Sequence, residues 1–271
     1  MAAECEQSMM TIINYPILVF VLTFGVLWLS ARAGQSFRKS RRAMEEGEQR
    51  DYGIIVGATL TLLGLIIGFS FSMAISRYDQ RKDYEEAEAN AIGTEYLRAD
   101  FLPAAEGARV RGLLKSYVDQ RVLFYKTRDA GRLQQIAATT DQLQGALWSA
   151  VRVPASAQAT PLSALVVSGM NDVLNSQGYT QAAWWNRIPA AAWGLMAAIA
   201  ICCNLLIGYG AHREEGKTFL FLVLPLLVSI SFFLIADIDS PRGGVIRVTP
   251  QNLESLEQSL RAAGPSESEK R

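Results

Sequence analysis

The sequence predicts an all-α membrane protein with four transmembrane helices, the second of which extends into a helical extramembrane bundle. Three observations predict it. Half of the 271 residues are hydrophobic, and they gather into four uncharged stretches, 7–31, 52–76, 188–211 and 218–236, a clustering that marks membrane spans. Each stretch is long enough to cross about 30 Å of hydrocarbon at about 1.5 Å per residue. Between the second and third lies a charged segment, 77–187, whose apolar residues recur at helical spacing and which has no strand-like alternation of useful length.

Composition removes several function classes. The 26 basic and 26 acidic residues cancel, and no basic run carries interleaved aromatics, so no nucleic-acid partner is expected. Cys5, Cys202, Cys203 and the single His212 supply neither a disulfide framework nor metal-ligand spacing. No phosphate loop or nucleophile–base arrangement is present, so neither an enzyme nor a bound cofactor is expected. The four apolar stretches hold no acidic or basic side chain, whereas an ion-coupled transporter places one at membrane depth.

The first span, about 13–31, follows a short acidic leader. A signal peptide would carry positive charge before its apolar run, but here Arg32, Arg38, Lys39, Arg41 and Arg42 follow it, so the helix is read as retained. The second span, about 54–75, runs without a breaker through a Glu/Ala-rich segment to Pro103, which predicts one long helix that leaves the membrane. Within 76–187, Val110, Leu114, Tyr117 and Val118 fit one amphipathic helix. Leu133, Ile136, Leu143, Leu147 and Val151 fit a second that ends before Pro154, and Pro161 opens a third. Trp184 and Trp185 read as an interfacial belt before the third span, about 188–210. Asn204 in that span reads as an interhelical hydrogen bond. The fourth span, about 218–236, contains Pro225, a candidate kink. The domains are therefore 1–75, 76–187, 188–237 and a tail, 238–271, with a short amphipathic helix around Leu253, Leu256 and Leu260 and disorder from Gly264.

Three groups of residues are candidates for function. In the second span Gly57, Thr61, Gly64, Gly68, Ser72 and Ser76 follow steps of four, three, four, four and four, one narrow stripe on one helix face. Close helix packing and pore lining both use such a stripe; Phe69 and Phe71 beside it would supply a constriction. At the helix exit, Arg77 and Arg81 would concentrate anions in a vestibule, opposed by Glu85 and Glu88. At the end of the fourth span, Asp237 and Asp239 precede Pro241, Gly243 and Gly244. A capped helix end whose acids meet arginines is the preferred reading; a cation or gating site is the alternative.

Four spans place both termini and the large insert on one side of the membrane. Near the membrane the opposite side carries eight Lys/Arg and the insert side six, which favours an external insert.

Particular segments resemble a known family. Leu63-Gly-Leu-Ile-Ile-Gly-Phe-Ser-Phe-Ser-Met-Ala74 followed by Arg77-Tyr-Asp, and Glu88-Ala-Asn-Ala-Ile-Gly-Thr-Glu-Tyr-Leu-Arg98 followed by Leu102-Pro103, are similar to the bacterial bestrophin-like domain family. Ser116-Tyr-Val-Asp-Gln-Arg121, Asn171-Asp172 and Ile238-Asp-Ser-Pro-Arg-Gly-Gly-Val-Ile-Arg-Val248 match as well. The resemblance covers about 60–248. It implies a relation to bestrophins, pentameric anion channels with the second of four membrane helices at the pore and the insert in the cytoplasm, against the charge count. It further implies a multi-pass protein of the bacterial inner (plasma) membrane, a homo-oligomer whose partners are the lipid bilayer and small inorganic ions. An oligomeric ion channel is the leading reading, and a non-conducting scaffold or sensor acting through the helical insert is the alternative.

Overall fold

The computed structural model describes residues 12–39, 46–157, 159–210 and 220–262. Eight α-helices are present among them: α1 Pro16–Lys39, α2 Glu46–Arg98, α3 Ala104–Lys126, α4 Ala130–Ala157, α5 Pro161–Trp185, α6 Ala190–Gly210, α7 Leu220–Asp239 and α8 Gln251–Ala262, with a 3-10 turn at Ala99–Phe101. No strand occurs among the described residues. Four helices are long and apolar enough to cross a membrane. The acidic leader, residues 40–45 of the first basic connection, the turn at His212 and the tail from Gly264 lie outside the described residues.

α2 has 53 residues, about 80 Å of helix. Nothing breaks it because between Ile54 and Leu102 there is no proline, and good helix formers take over where the apolar run stops. α5 starts where a start is encoded. Thr160 accepts from the Ser163 amide at 3.1 Å, Ser163 Oγ accepts from the Thr160 amide at 2.9 Å, and Pro161 takes the first turn, where its missing N–H costs nothing. α4 does not stop before Pro154 as predicted; it continues to Ala157. The proline forfeits one N–H bond in the last turn, where the helix is ending in any case. α7 likewise runs through Pro225.

The chain packs as two units. The first comprises Met1–Tyr78 and Arg187–Arg247, the second Asp79–Asn186 and Val248–Arg271. The first holds the four apolar spans. Its core joins Val19 and Leu27 of α1, Leu63 and Ala74 of α2, Met196, Ala200 and Cys203 of α6, and Val228, Phe232 and Ile235 of α7. α1 and α6 meet backbone to backbone. A Cβ on Gly34 would collide with the Leu205 carbonyl oxygen, and one on Gly208 with that of Ala31. Asn204, also buried, donates to Ala200 O at 2.8 Å on its own helix rather than to a neighbouring one. An amide one turn from an intrahelical carbonyl finds that acceptor without help from a second helix.

The second unit is a polar-surfaced helical bundle. Val110, Leu114, Tyr117 and Val118 of α3, Leu147 and Val151 of α4, Val166, Met170 and Val173 of α5, and Leu253 of α8 are buried. α8 belongs to this unit rather than to a loose tail. Its amphipathic pattern buries Leu253 and Leu260, and Lys126 reaches Glu254 at 2.6 Å. The two tryptophans also differ from a paired belt. Trp184 is buried against Phe124 and Tyr125, with ring centroids 4.9 Å and 5.4 Å away, while Trp185 is 74% exposed. Adjacent helical residues point about 100° apart, so only one of them can face the core.

Gly208→Ala is expected to destabilise the membrane unit by about 1–3 kcal/mol, the usual cost of forcing atoms into a packed contact. Gly64→Ala, with nothing within 4 Å of its Cβ position, is expected to leave the unfolding temperature unchanged or raise it slightly. Thermal unfolding of the two purified variants checks both.

Candidate functional site

α2 carries two faces with opposite environments. Its covered face in the membrane unit holds Leu63, Ser70 and Ala74, all buried. The small-residue stripe lies nearly opposite. Gly57, Thr61, Gly64, Gly68, Ser72 and Ser76 are all exposed, and no atom lies within 4 Å of the Cβ position of any of the three glycines. Phe69 and Phe71 are exposed as well, at 64% and 37%. Only 11% of the apolar window of α2 is buried, against 44% for α7. Among the described residues the stripe therefore packs against no other helix, whereas Gly34 and Gly208 bring α1 and α6 into close approach.

The charged residues after the span do not form an open vestibule. Arg81, Glu85 and Glu88 are 1%, 1% and 0% exposed. With Ile92, Glu95 and, in the 3-10 turn that follows, Ala99, also buried, they follow steps of four, three, four, three and four, one seam turned into the helical bundle. Charge alone reads as solvent-facing; the spacing places these side chains inside. Each is then given partners. Arg81 donates to the carbonyls of Ala183 and Asn186, both at 3.2 Å, so its positive charge meets the carbonyl end of α5, where the helix dipole favours it. Glu85 accepts from the Leu253 amide at 2.9 Å and from Asn252 Nδ2 at 2.7 Å. A carboxylate there satisfies free N–H groups at the start of α8. Glu88 is paired with Arg121 through both its oxygens and accepts from Thr180 Oγ1 at 3.2 Å. Arg121 also lies over the Phe124 ring, 4.5 Å from its centroid.

Glu95 is the exception on this seam. Neither of its oxygens has a hydrogen-bond partner. The nearest cation is Arg98, whose Nη1 is 4.0 Å from Oε2. Both side chains lie over Gly169 of α5, where a Cβ would collide with Glu95 Oε2 and Arg98 Nη1. In the sequence Glu95, Arg121 and Asp172 stand inside the family motifs with no role of their own. The seven-residue repeat through Glu85, Ile92 and Ala99, with Glu88 and Glu95 between, is the signal that would have found Glu95; Arg121 and Asp172 lie on other helices and carry no such signal.

Arg77, Asp237 and Asp239 form a third group, in the membrane unit. Asp239 Oδ1 accepts from the Ile188 amide at 3.1 Å, Arg187 Nε is 3.4 Å from Oδ2, and Arg77 Nη1 is 3.8 Å from Oδ1. Arg187 also donates to Asn14 Oδ1 at 2.6 Å. Asp237 accepts from the amides of Val245 and Ile246, both at 2.8 Å. The chain can turn back over the end of α7 because residue 244 is glycine: a Cβ there would strike the Asp237 carbonyl oxygen. Asp239 thus meets two arginines and Asp237 two backbone amides, and the two acids tie four chain segments together. Among the described residues no group of three acidic, histidine or cysteine side chains is placed to hold a metal.

A family model described as Bestrophin-like domain matches residues 17–253. The fold is similar to solved structures of a bacterial bestrophin homologue from Klebsiella pneumoniae. One of them, at 13% identity, covers 91% of this chain and 97% of that chain with a TM-score of 0.63. A point mutant of the same homologue, at 13% identity, covers 91% and 98% with a TM-score of 0.60. No curated protein matches the chain.

Removing Arg121 leaves the Glu88 carboxylate buried with a single hydroxyl donor. Arg121→Met is expected to cost the helical unit about 3–5 kcal/mol, while the paired change Glu88→Leu/Arg121→Met is expected to recover most of it. Denaturant unfolding followed by the tryptophan signal of Trp184, which packs beside Phe124, measures both.

Proposed function

The chain belongs to the Bestrophin-like domain family, and on that footing we propose that it is an oligomeric ion channel with α2 beside the conducting path. It is an integral membrane protein, and the resemblance implies the bacterial inner membrane. One observation carries the reading. The small-residue stripe of α2 is uncovered over about five turns, so it is left for a second copy of the chain or for an aqueous path. A subunit with four spans is too small to enclose a wide path by itself, so the path lies on the axis of a homo-oligomer, pentameric by resemblance. Thr61, Ser72 and Ser76 would offer hydroxyls and the glycines bare backbone to passing ions. Phe69 and Phe71 would make an apolar ring that closes by dewetting.

The resemblance implies anions, but the charges on α2 do not supply the reason. Arg81, the candidate for concentrating anions, is buried on a helix end, and Arg77 is drawn to Asp239. The exposed charges in the next turns are Asp79, Lys82, Asp83 and Glu86, three negative and one positive. Anion selectivity therefore rests on the family alone, and chloride and potassium are both test ions.

Purified protein in liposomes is expected to pass at least one of these ions, with the two gradients applied separately. Gly68→Leu, which places a large apolar side chain on the uncovered face, is expected to reduce that flux at least about tenfold in an oligomer of unchanged size. Flux that Gly68→Leu leaves unaltered would remove α2 from the path. Absence of flux of either ion from a well-reconstituted oligomer would favour a non-conducting scaffold or sensor acting through the helical unit.

A further inference from the structure

We propose that Glu95 is a proton-binding site of the helical unit, its carboxyl held in the neutral form between α2 and α5. This goes beyond the channel reading and does not depend on it. The apolar run of α2 ends at Ser76, so Glu95 stands nineteen residues further along the helix, outside the span.

Three features of the site carry the proposal. First, Glu95 is 0% exposed and neither oxygen accepts a hydrogen bond. A buried ionised carboxylate without donors is among the costliest groups a protein can hold, and such a group takes up a proton instead. Second, the comparison lies on the same seam. Glu85 has the donors of Asn252 and Leu253, and Glu88 has Arg121 and Thr180; Glu95 has no hydrogen-bond donor on either oxygen. Third, the charges that act on it oppose one another. Arg98, one turn along its own helix and 4.0 Å away, favours the anion, while Asp172 of α5 disfavours it. Arg98 remains partly in water, with 28% of its side chain exposed, which weakens its pull. Burial comes first, Arg98 lowers and Asp172 raises, and the net effect is a carboxyl pushed up to about 8 from an ordinary value of 4.5.

Gly169 fits the same account. Its missing side chain is what lets the Glu95 carboxyl and the Arg98 guanidinium lie against the α5 backbone, so the site is made jointly by α2 and α5. The folded form holds a proton that the unfolded chain gives up near pH 4.5. The stabilisation is complete below that value and is lost as the pH rises through about 8.

The test is an infrared pH titration of the full-length protein, following the carbonyl band of protonated carboxyl groups. Wild-type protein is expected to show such a band at pH 7, lost with a midpoint near 8. Glu95→Gln is expected to lack it, and Glu85→Gln to retain it. Asp172→Asn, a change at an exposed residue, is expected to lower the midpoint by about half a pH unit or more, and Arg98→Gln to raise it. These two shifts keep the test open even if Glu95→Gln fails to fold. A spectrum at pH 7 that Glu95→Gln leaves unchanged, or a midpoint that neither Asp172→Asn nor Arg98→Gln moves, would overturn the proposal.

Discussion

The helical unit depends on one constraint: α2 turns three carboxylates into its own core, and each must be given donors or a proton. Glu88 sets the pattern. Its pairing with Arg121 fixes α3 against α2, and the Thr180 hydroxyl adds α5 to the same carboxylate. Glu85 fixes the start of α8 by the same physics, with N–H groups in place of a guanidinium. Arg81 does the converse at the end of α5, where carbonyls are in surplus. A helix that supplies its neighbours with charges they cannot obtain from water selects which neighbours pack, and in what register. An all-apolar seam would bind as tightly with far less discrimination.

Along the membrane stretch the same helix follows a different rule. Without water, close approach replaces hydrophobic burial as the source of affinity between helices. α1 and α6 use it, through Gly34 and Gly208 against backbone carbonyls. The small-residue stripe of α2 makes no such approach among the described residues. On the proposed channel reading, a surface so uncovered serves as an interface with another copy and as the wall of a passage, since a closed ring of copies makes it both.

Much of this is legible in the sequence, and the misses have definite causes. Four apolar stretches announce four spans because a bilayer demands length and hydropathy regardless of partners. Pro161 announces the start of α5, since capping is local. The fate of Glu85 is not legible: its partners Asn252 and Leu253 lie more than 160 residues away in the chain. Arg81, Glu85 and Glu88 read as a vestibule because charged residues are usually exposed, although their spacing marks a seam. Asn204 and the paired tryptophans are misread from residue type alone, and in both cases local helix geometry decides otherwise. For Asp237 and Asp239, the nearby arginines and glycines suggest partners for the acids, and Asp239 does meet two arginines, Arg77 and Arg187. The small-residue stripe shows the reverse case. Its spacing is plain, but packing and pore lining share one pattern, and only the protomer reveals that no helix among the described residues covers it.

The most direct test of α2 as the wall of the path is accessibility during flux. Single cysteines at Gly64, Gly68 and Ser72, and on the covered face at Leu63, would be introduced into a background lacking Cys5, Cys202 and Cys203. Each would be reconstituted in liposomes and treated with a charged, membrane-impermeant thiol reagent. Loss of flux after modification at Gly64, Gly68 and Ser72, with Leu63 unaffected, is the predicted result. Ready modification at those three positions with flux undiminished would contradict it.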